Sequence, residues 1–78
     1  MDLNEYREKL KQQTLDTICE RIWAVSKLLP TMTIIKKYYI NSNIEYARRK
    51  YNIRLTENEI RIKLEEKAKK FNKKLSFI

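Results

Sequence analysis

The most chemically informative residues of this chain are bases and tyrosines near its middle. Between positions 29 and 55 there are six lysines and arginines and a single acid, Glu45. The six bases are Lys36, Lys37, Arg48, Arg49, Lys50 and Arg54. Four tyrosines are interspersed with them, namely Tyr38, Tyr39, Tyr46 and Tyr51. Lysine and arginine displace the counterions condensed on nucleic acid, and tyrosine hydroxyls hydrogen-bond to phosphate oxygens, so this pattern predicts a phosphate-binding surface.

The charge of the whole chain supports the same expectation. Its 78 residues include 18 Lys and Arg against 10 Asp and Glu, a net charge of +8. Nearly all of the excess lies after Pro30, because residues 1–28 contain five acids and five bases. The apolar content of 42% is too high for a disordered polyelectrolyte, and no apolar run approaches the ~18 residues that would span a bilayer. We expect a folded protein with an acidic partner and no membrane association.

The missing residue types exclude most catalytic and cofactor chemistry. Without histidine the chain lacks the commonest general base and metal ligand, and without glycine it lacks the loops that cradle phosphate in nucleotide-binding enzymes. We therefore expect no enzyme, no catalytic residue, no metal and no cofactor. Cys19 is the only cysteine and the first five residues are polar and acidic, which favours a cytoplasmic protein without disulfides.

The apolar spacing predicts helix almost throughout, beginning with one long helix over residues 3–28. Asp2 followed by Glu5 has the spacing of a helix N-cap, and Pro30 ends the segment. In its second half the apolar surface is wider than one packing face needs, which indicates a contact with a second copy or a protein partner. The residues assigned to this contact are Leu15, Cys19, Ile22 and Trp23. Burial of Trp23 in the core of the chain is the open alternative.

Two shorter helices are expected next. Apolar residues in pairs four positions apart predict helix over residues 31–40, followed by a break at 41–43. Ser42 is expected to open a short helix that runs to about Tyr51. Asn52 is expected to end that helix in a left-handed conformation, since the chain has no glycine for this position.

The last helix has the clearest start. Thr56, followed by Glu59, predicts a capped helix that runs to about Leu75. No repeat and no Gly- or Pro-rich linker divides the chain. The expected fold is therefore all-α, a single domain over residues 1–78 with about four helices, in which a basic region at 32–75 follows the long N-terminal helix.

Residues 44–64 resemble a helix-turn-helix module, in which a short helix and a tight link precede the helix that enters the DNA major groove. Asn52 would fill the turn position where glycine is usual. The resemblance implies that the last helix meets base edges with its first turn, through Asn58 and Arg61. Glutamates in the same turn would repel phosphates, so the alternative is that the bases bind the phosphate backbone without reading the sequence.

These observations favour a small nucleic-acid-binding protein, with DNA preferred over RNA as the target. The frequent Ile, Lys, Asn, Tyr and Phe have AT-rich codons, which suggests a regulator or accessory factor of a phage, virus or plasmid, located in the host cytoplasm if viral. Two alternatives stay open. One is a non-enzymatic interaction module, such as an inhibitor or structural subunit, that uses the N-terminal helix with a protein partner or as a homodimer. The other is a component of an RNA–protein assembly.

Overall fold

The computed structural model describes residues 2–78, and within them the chain forms three helices and a small three-stranded sheet. In chain order the elements are α1 (Leu3–Ala24), β1 (Lys27–Leu28), β2 (Met32–Ile35), α2 (Lys37–Tyr51), α3 (Glu57–Lys70) and β3 (Lys74–Phe77). The expected all-α fold of four helices is therefore wrong. The region predicted as a three-helix unit contains two helices flanked by strands.

The first helix begins as predicted but ends early. The Asp2 carboxylate accepts a hydrogen bond from the Glu5 amide at 2.8 Å, which satisfies a free donor of the first turn. The helix stops at Ala24 because the chain then enters a hairpin, in which β1 pairs antiparallel with β2. Pro30 lies in the turn between these strands, where its missing N–H removes no ladder hydrogen bond.

The segment predicted as helix at 31–40 is instead the central strand followed by the start of α2. Thr33 and Ile35 are fully buried while the neighbouring strand residues are half-buried, which is the alternation of a strand. Strand β2 pairs with β1 on one side and lies parallel to β3 on the other. Its β-branched residues suit a strand once these two partners are present.

Helix α2 is continuous through residues 41–43, so the predicted break and the Ser42 cap are both wrong. The Ser42 hydroxyl donates to the Tyr39 carbonyl, and the Asn43 side-chain amide donates to the same carbonyl at 2.8 Å. These polar side chains bond within the helix rather than opening a new one. The prediction for Asn52 is confirmed, because it ends α2 with φ 54° and ψ 37°.

Helix α3 starts with the predicted capping box. The Thr56 hydroxyl accepts from the Glu59 amide, and the Glu59 carboxylate accepts from the Thr56 amide. It ends at Lys70 rather than Leu75, since a left-handed residue, Asn72, turns the chain into strand β3.

The helices and the sheet share one hydrophobic cluster. Helix α1 packs against both α2 and α3, and Ile18 and Ile22 of α1 are fully buried between them. The N-terminal part of α1 differs, because Leu3, Tyr6 and Leu10 are exposed on the helix before it reaches the core. None of the helices within residues 2–78 is both long and apolar enough to cross a bilayer.

Candidate nucleic-acid interface

Helix α1 lies between α2 and α3, so it has two sides with different surroundings. We call its contact with α3 the paired seam, defined by three ion pairs: Lys11 with Glu59, Asp16 with Lys63, and Glu20 with Lys67. We call the surface along its other side, toward α2 and the β1–β2 hairpin, the basic seam. It is defined by Arg7, Arg21, Lys27, Lys36, Lys50 and Arg54.

The paired seam neutralises its own charges. Lys11 Nζ lies 2.8 Å from a Glu59 oxygen and Lys63 Nζ lies 3.0 Å from an Asp16 oxygen. The hydrogen bond from Lys11 lowers the pKa of the Glu59 carboxyl, and the hydrogen bond to Asp16 raises the pKa of the Lys63 ammonium. Because the side chains of these pairs are partly exposed, each pair contributes at most about 1 kcal/mol to the free energy of unfolding.

In the middle of the basic seam, two cations are held against one tyrosine. Arg21 donates from Nε to the Asn43 side-chain oxygen at 3.0 Å, and its guanidinium carbon lies 3.9 Å from the centroid of the Tyr46 ring. Lys50 Nζ donates to the Tyr46 hydroxyl at 2.9 Å, and this hydrogen bond is the main cause of a lowered pKa for that phenol. The positive charges of Arg21 and Lys50 are thus positioned by two hydrogen bonds and by aromatic contacts, and no carboxylate takes part in these contacts.

The three clefts described along the basic seam have no Asp or Glu side chain among their lining residues. One cleft is lined by Arg21 and Tyr39, and a second, which shares Tyr39 with it, is lined by Lys27 and Lys36. A third lies at the other end of α2, between α1 and the link to α3. In the third cleft Lys11 is paired with Glu59, whereas Arg7 and Arg54 have no ion pair among residues 2–78. Cations without a carboxylate partner attract anions.

The basic cluster predicted at the end of α2 is divided by Glu45. Arg48 makes two hydrogen bonds to this carboxylate, at 2.5 and 3.3 Å, and Arg49 Nε lies 3.9 Å from it. These bonds lower the pKa of the Glu45 carboxyl, with the Arg48 hydrogen bond as the largest cause. Lys50 turns away from Glu45 toward Tyr46 and joins the basic seam. The structure therefore separates residues that the sequence grouped together.

The other predicted contacts lie at the two ends of the α2–α3 pair. Lys36 precedes α2 and Lys37 is its first residue, and both are exposed without an ion pair among the described residues. Asn58 is exposed in the first turn of α3. Arg61 lies 3.9 Å from a Glu57 oxygen, and its guanidinium is 4.4 Å from the centroid of the Phe77 ring on β3.

The four residues predicted at a partner or dimer contact lie within the chain's own core. Leu15, Cys19, Ile22 and Trp23 are all buried, and the Trp23 ring stacks on Phe71 with 6.0 Å between centroids. Burial raises the pKa of the Cys19 thiol to about 12, so the thiol is protonated at neutral pH. Packing inside one chain accounts for these four positions, and an intermolecular contact through them stays a prediction.

Sequence reasoning missed Arg7, Arg21 and Lys27, because the first 28 residues are neutral when charges are counted along the chain. Helical periodicity could have indicated that two of these residues share a surface. Arg7 and Arg21 are fourteen positions apart, close to four turns, and therefore lie near one helix face. The acids of the paired seam, Asp16 and Glu20, project on a different side of α1, toward α3.

No family model, curated protein sequence or solved structure matches this chain. Among residues 2–78, no group of three or more acidic or cysteine side chains is placed to hold a metal ion. The side chains of the basic seam, which are cations and hydroxyl donors, can bind an anion.

Proposed function

We propose that this chain binds nucleic acid by its phosphate backbone, with the basic seam as the contact surface and duplex DNA as the principal target. The observation that supports this proposal is the separation of charge across α1. The acids of α1 that lie near α3 are paired with lysines, whereas the clefts toward α2 are lined by cations and by no Asp or Glu side chain.

Unpaired cations are the ones that favour phosphate binding. A lysine that already has a carboxylate partner must lose that partner before it neutralises a phosphate, so its net contribution is small. A free lysine or arginine loses only water and releases a condensed counterion from the nucleic acid. Tyr39, Tyr46 and Tyr51 lie beside these cations and provide additional hydrogen-bond donors for phosphate oxygens.

Reading of base edges by α3 is a finer proposal with less support. Asn58 is exposed, but Glu57 and Glu65 are exposed on the same helix and repel phosphates. If the first turn of α3 does read bases, Asn58→Ala should relax the preference for one base pair, at about 1–3 kcal/mol for a good contact. Equal losses on every sequence would restrict the function to backbone binding. A regulator or accessory factor of a mobile element is compatible with either mode.

The direct test is fluorescence anisotropy with duplex DNA, single-stranded DNA and structured RNA at salt concentrations from about 50 to 200 mM. The logarithm of the binding constant should fall linearly with the logarithm of salt, with a slope of about −0.9 per phosphate contact on duplex DNA and about −0.7 on single strands. No binding to any of the three at about 50 mM salt would refute the proposal.

A pair of triple variants assigns the surface. Lys27→Gln, Lys36→Gln and Arg54→Gln together remove three charges from the basic seam. The matched control is Lys9→Gln, Lys69→Gln and Lys70→Gln, which removes three charges from exposed lysines elsewhere. The seam variant should lose more affinity and flatten the salt slope more than the control. Equal losses would mean that only the net charge matters.

A second candidate function, contact with a protein partner through α1, is favoured by one observation. Leu3, Tyr6 and Leu10 are exposed apolar residues with helical spacing on the part of α1 that precedes the core. Sedimentation velocity on the wild type and on Tyr6→Ser tests for self-association through this stripe. A monomer at all concentrations, in both proteins, would exclude the homodimer.

A further inference from the structure

A cleft of about 460 Å³ lies between the first half of α1 and the link that joins α2 to α3. Helix α1 contributes Arg7 and Lys11 to its wall, and the link contributes Asn52 and Arg54. Tyr51, the last residue of α2, also lines it and is 40% exposed. Residues from two distant parts of the sequence therefore form one concave, basic surface.

The two arginines of this cleft are free to bind a ligand. Neither Arg7 nor Arg54 forms an ion pair with any residue in the described range 2–78, and both are exposed. Lys11 differs, because its ammonium is bound by Glu59 at 2.8 Å. The positive charge available in the cleft thus comes from two guanidinium groups, each of which can bind phosphate oxygens through two parallel N–H donors.

The link holds Arg54 in a defined position. The left-handed conformation of Asn52 lets its amide and that of Ile53 donate to carbonyls in the last turn of α2. Ile53 is half-buried and Leu55 is buried, which leaves Arg54 between them as the exposed residue of the link. An arginine anchored on both sides loses less conformational entropy when it binds an anion.

We propose that this cleft is a phosphate-binding site, in which Arg7 and Arg54 together bind one phosphate group of a nucleic-acid backbone. The site rests on the proposed function for the source of its phosphate. Its ligand chemistry, a phosphate bound by two guanidinium groups, also fits free inorganic phosphate. The two sources are therefore separated by experiment.

The first measurement is an NMR titration of the arginine Nε–Hε signals with inorganic phosphate and, separately, with a short DNA duplex. The signals of Arg7 and Arg54 should shift together with the duplex, while Arg61, which lies against Phe77, should shift less. Shifts with inorganic phosphate alone, and none with the duplex, would refute nucleic-acid binding but retain a phosphate site. No shift of Arg7 and Arg54 with either ligand would overturn the site.

The second measurement compares two matched variants of α1. Arg7→Gln and Lys9→Gln remove one exposed positive charge each, but Lys9 lies near Glu5 and Glu8 and outside the cleft. Arg7→Gln should lower the affinity for duplex DNA about threefold to tenfold at about 100 mM salt and reduce the salt slope by about 0.9, whereas Lys9→Gln should change both much less. Equal effects of the two variants would overturn the site while leaving nucleic-acid binding intact.

Two additional variants test whether both guanidinium groups bind the same phosphate. Arg54→Gln should reproduce the effect of Arg7→Gln, and the double variant should lose less than the sum of both because they share one phosphate. Arg7→Lys keeps the charge but loses the two-donor geometry, so it should recover only part of the affinity. Thermal unfolding monitored by circular dichroism shows whether each variant is folded, and full recovery by Arg7→Lys would contradict the guanidinium geometry.

Discussion

The two sides of helix α1 differ in whether their charged side chains form ion pairs. Toward α3, Lys11, Asp16 and Glu20 each meet an opposite charge on the facing helix. Toward α2, Arg21 meets an amide and an aromatic ring, and Arg7 meets no acid among the described residues. Helix α1 is neutral overall. It lies between the paired seam, where charges are matched by opposite charges, and the basic seam, where Arg7 and Arg21 have no acidic partner among the described residues.

This difference shows why net charge alone is a weak guide to a binding surface. Lysines of the paired seam add as much to the formal charge as those of the basic seam, yet their field is cancelled within 4 Å by a carboxylate. The useful quantity is the number of cations without a partner on one face. We infer that the paired seam serves the fold and that the basic seam serves binding, and four predictions test that division.

The largest expected effect is on stability at the paired seam. Ile60 is fully buried under it, and its carbonyl accepts a hydrogen bond from the Cys19 thiol of α1. Ile60→Ala should lower the free energy of unfolding by about 2–5 kcal/mol, because it removes buried methyl groups and leaves a cavity. Urea denaturation measures this change. The control is Ile62→Ala, which makes the same change at a half-exposed position and should cost far less.

The next effect concerns binding. Glu45→Gln releases Arg48 and Arg49 from their shared carboxylate, so it should raise the affinity for duplex DNA and steepen the salt slope by up to about 0.9 per new phosphate contact. Glu65→Gln changes the net charge equally at an exposed position of α3 that has no ion pair among residues 2–78. If both variants bind equally better, Arg48 and Arg49 make no new contact.

A smaller effect is expected at the start of α3. Thr56→Ala removes the hydroxyl of the capping box and should lower the free energy of unfolding by roughly 1 kcal/mol. Affinity for nucleic acid should be unchanged below the unfolding transition, because Thr56 lies outside the basic seam. Thr17→Ala is the control, since the Thr17 hydroxyl bonds only to the carbonyl four residues earlier and its loss should be nearly neutral. Equal unfolding curves for the two variants would contradict the capping contribution.

The smallest effect tests the ion pairs themselves. Lys63→Glu places a carboxylate opposite Asp16 and should destabilise the protein by up to about 1 kcal/mol, and adding Asp16→Lys should restore most of the loss. Because Asp16 raises the folded-state pKa of Lys63, this stabilisation is complete below the unfolded-state value and declines as pH rises above it. A double variant that is no more stable than the single one would show that the pair contributes nothing measurable.

Sequence reasoning succeeded where a feature depends on residues close together in the chain, and it failed where the feature depends on distant residues. The helix starts at Asp2 and Thr56 and the left-handed end at Asn52 were predictable because each depends on side-chain and backbone groups within four residues. The strand at Met32–Ile35 was mistaken for helix because its parallel partner, Lys74–Phe77, lies about forty residues away. A short segment rich in β-branched residues takes the conformation that its distant neighbours provide.

The sequence by itself determined the excess of positive charge, the absence of histidine and glycine, the helix starts at Asp2 and Thr56, and the left-handed helix end at Asn52. Only the tertiary structure decided which charges are cancelled, because α3 brings its lysines to the acids of α1 while α2 brings tyrosines and an asparagine to the opposite side. The physical reason is that charge pairing depends on distance in space, and a pair separated by some 47 positions, such as Asp16 and Lys63, exists only after the helices have packed.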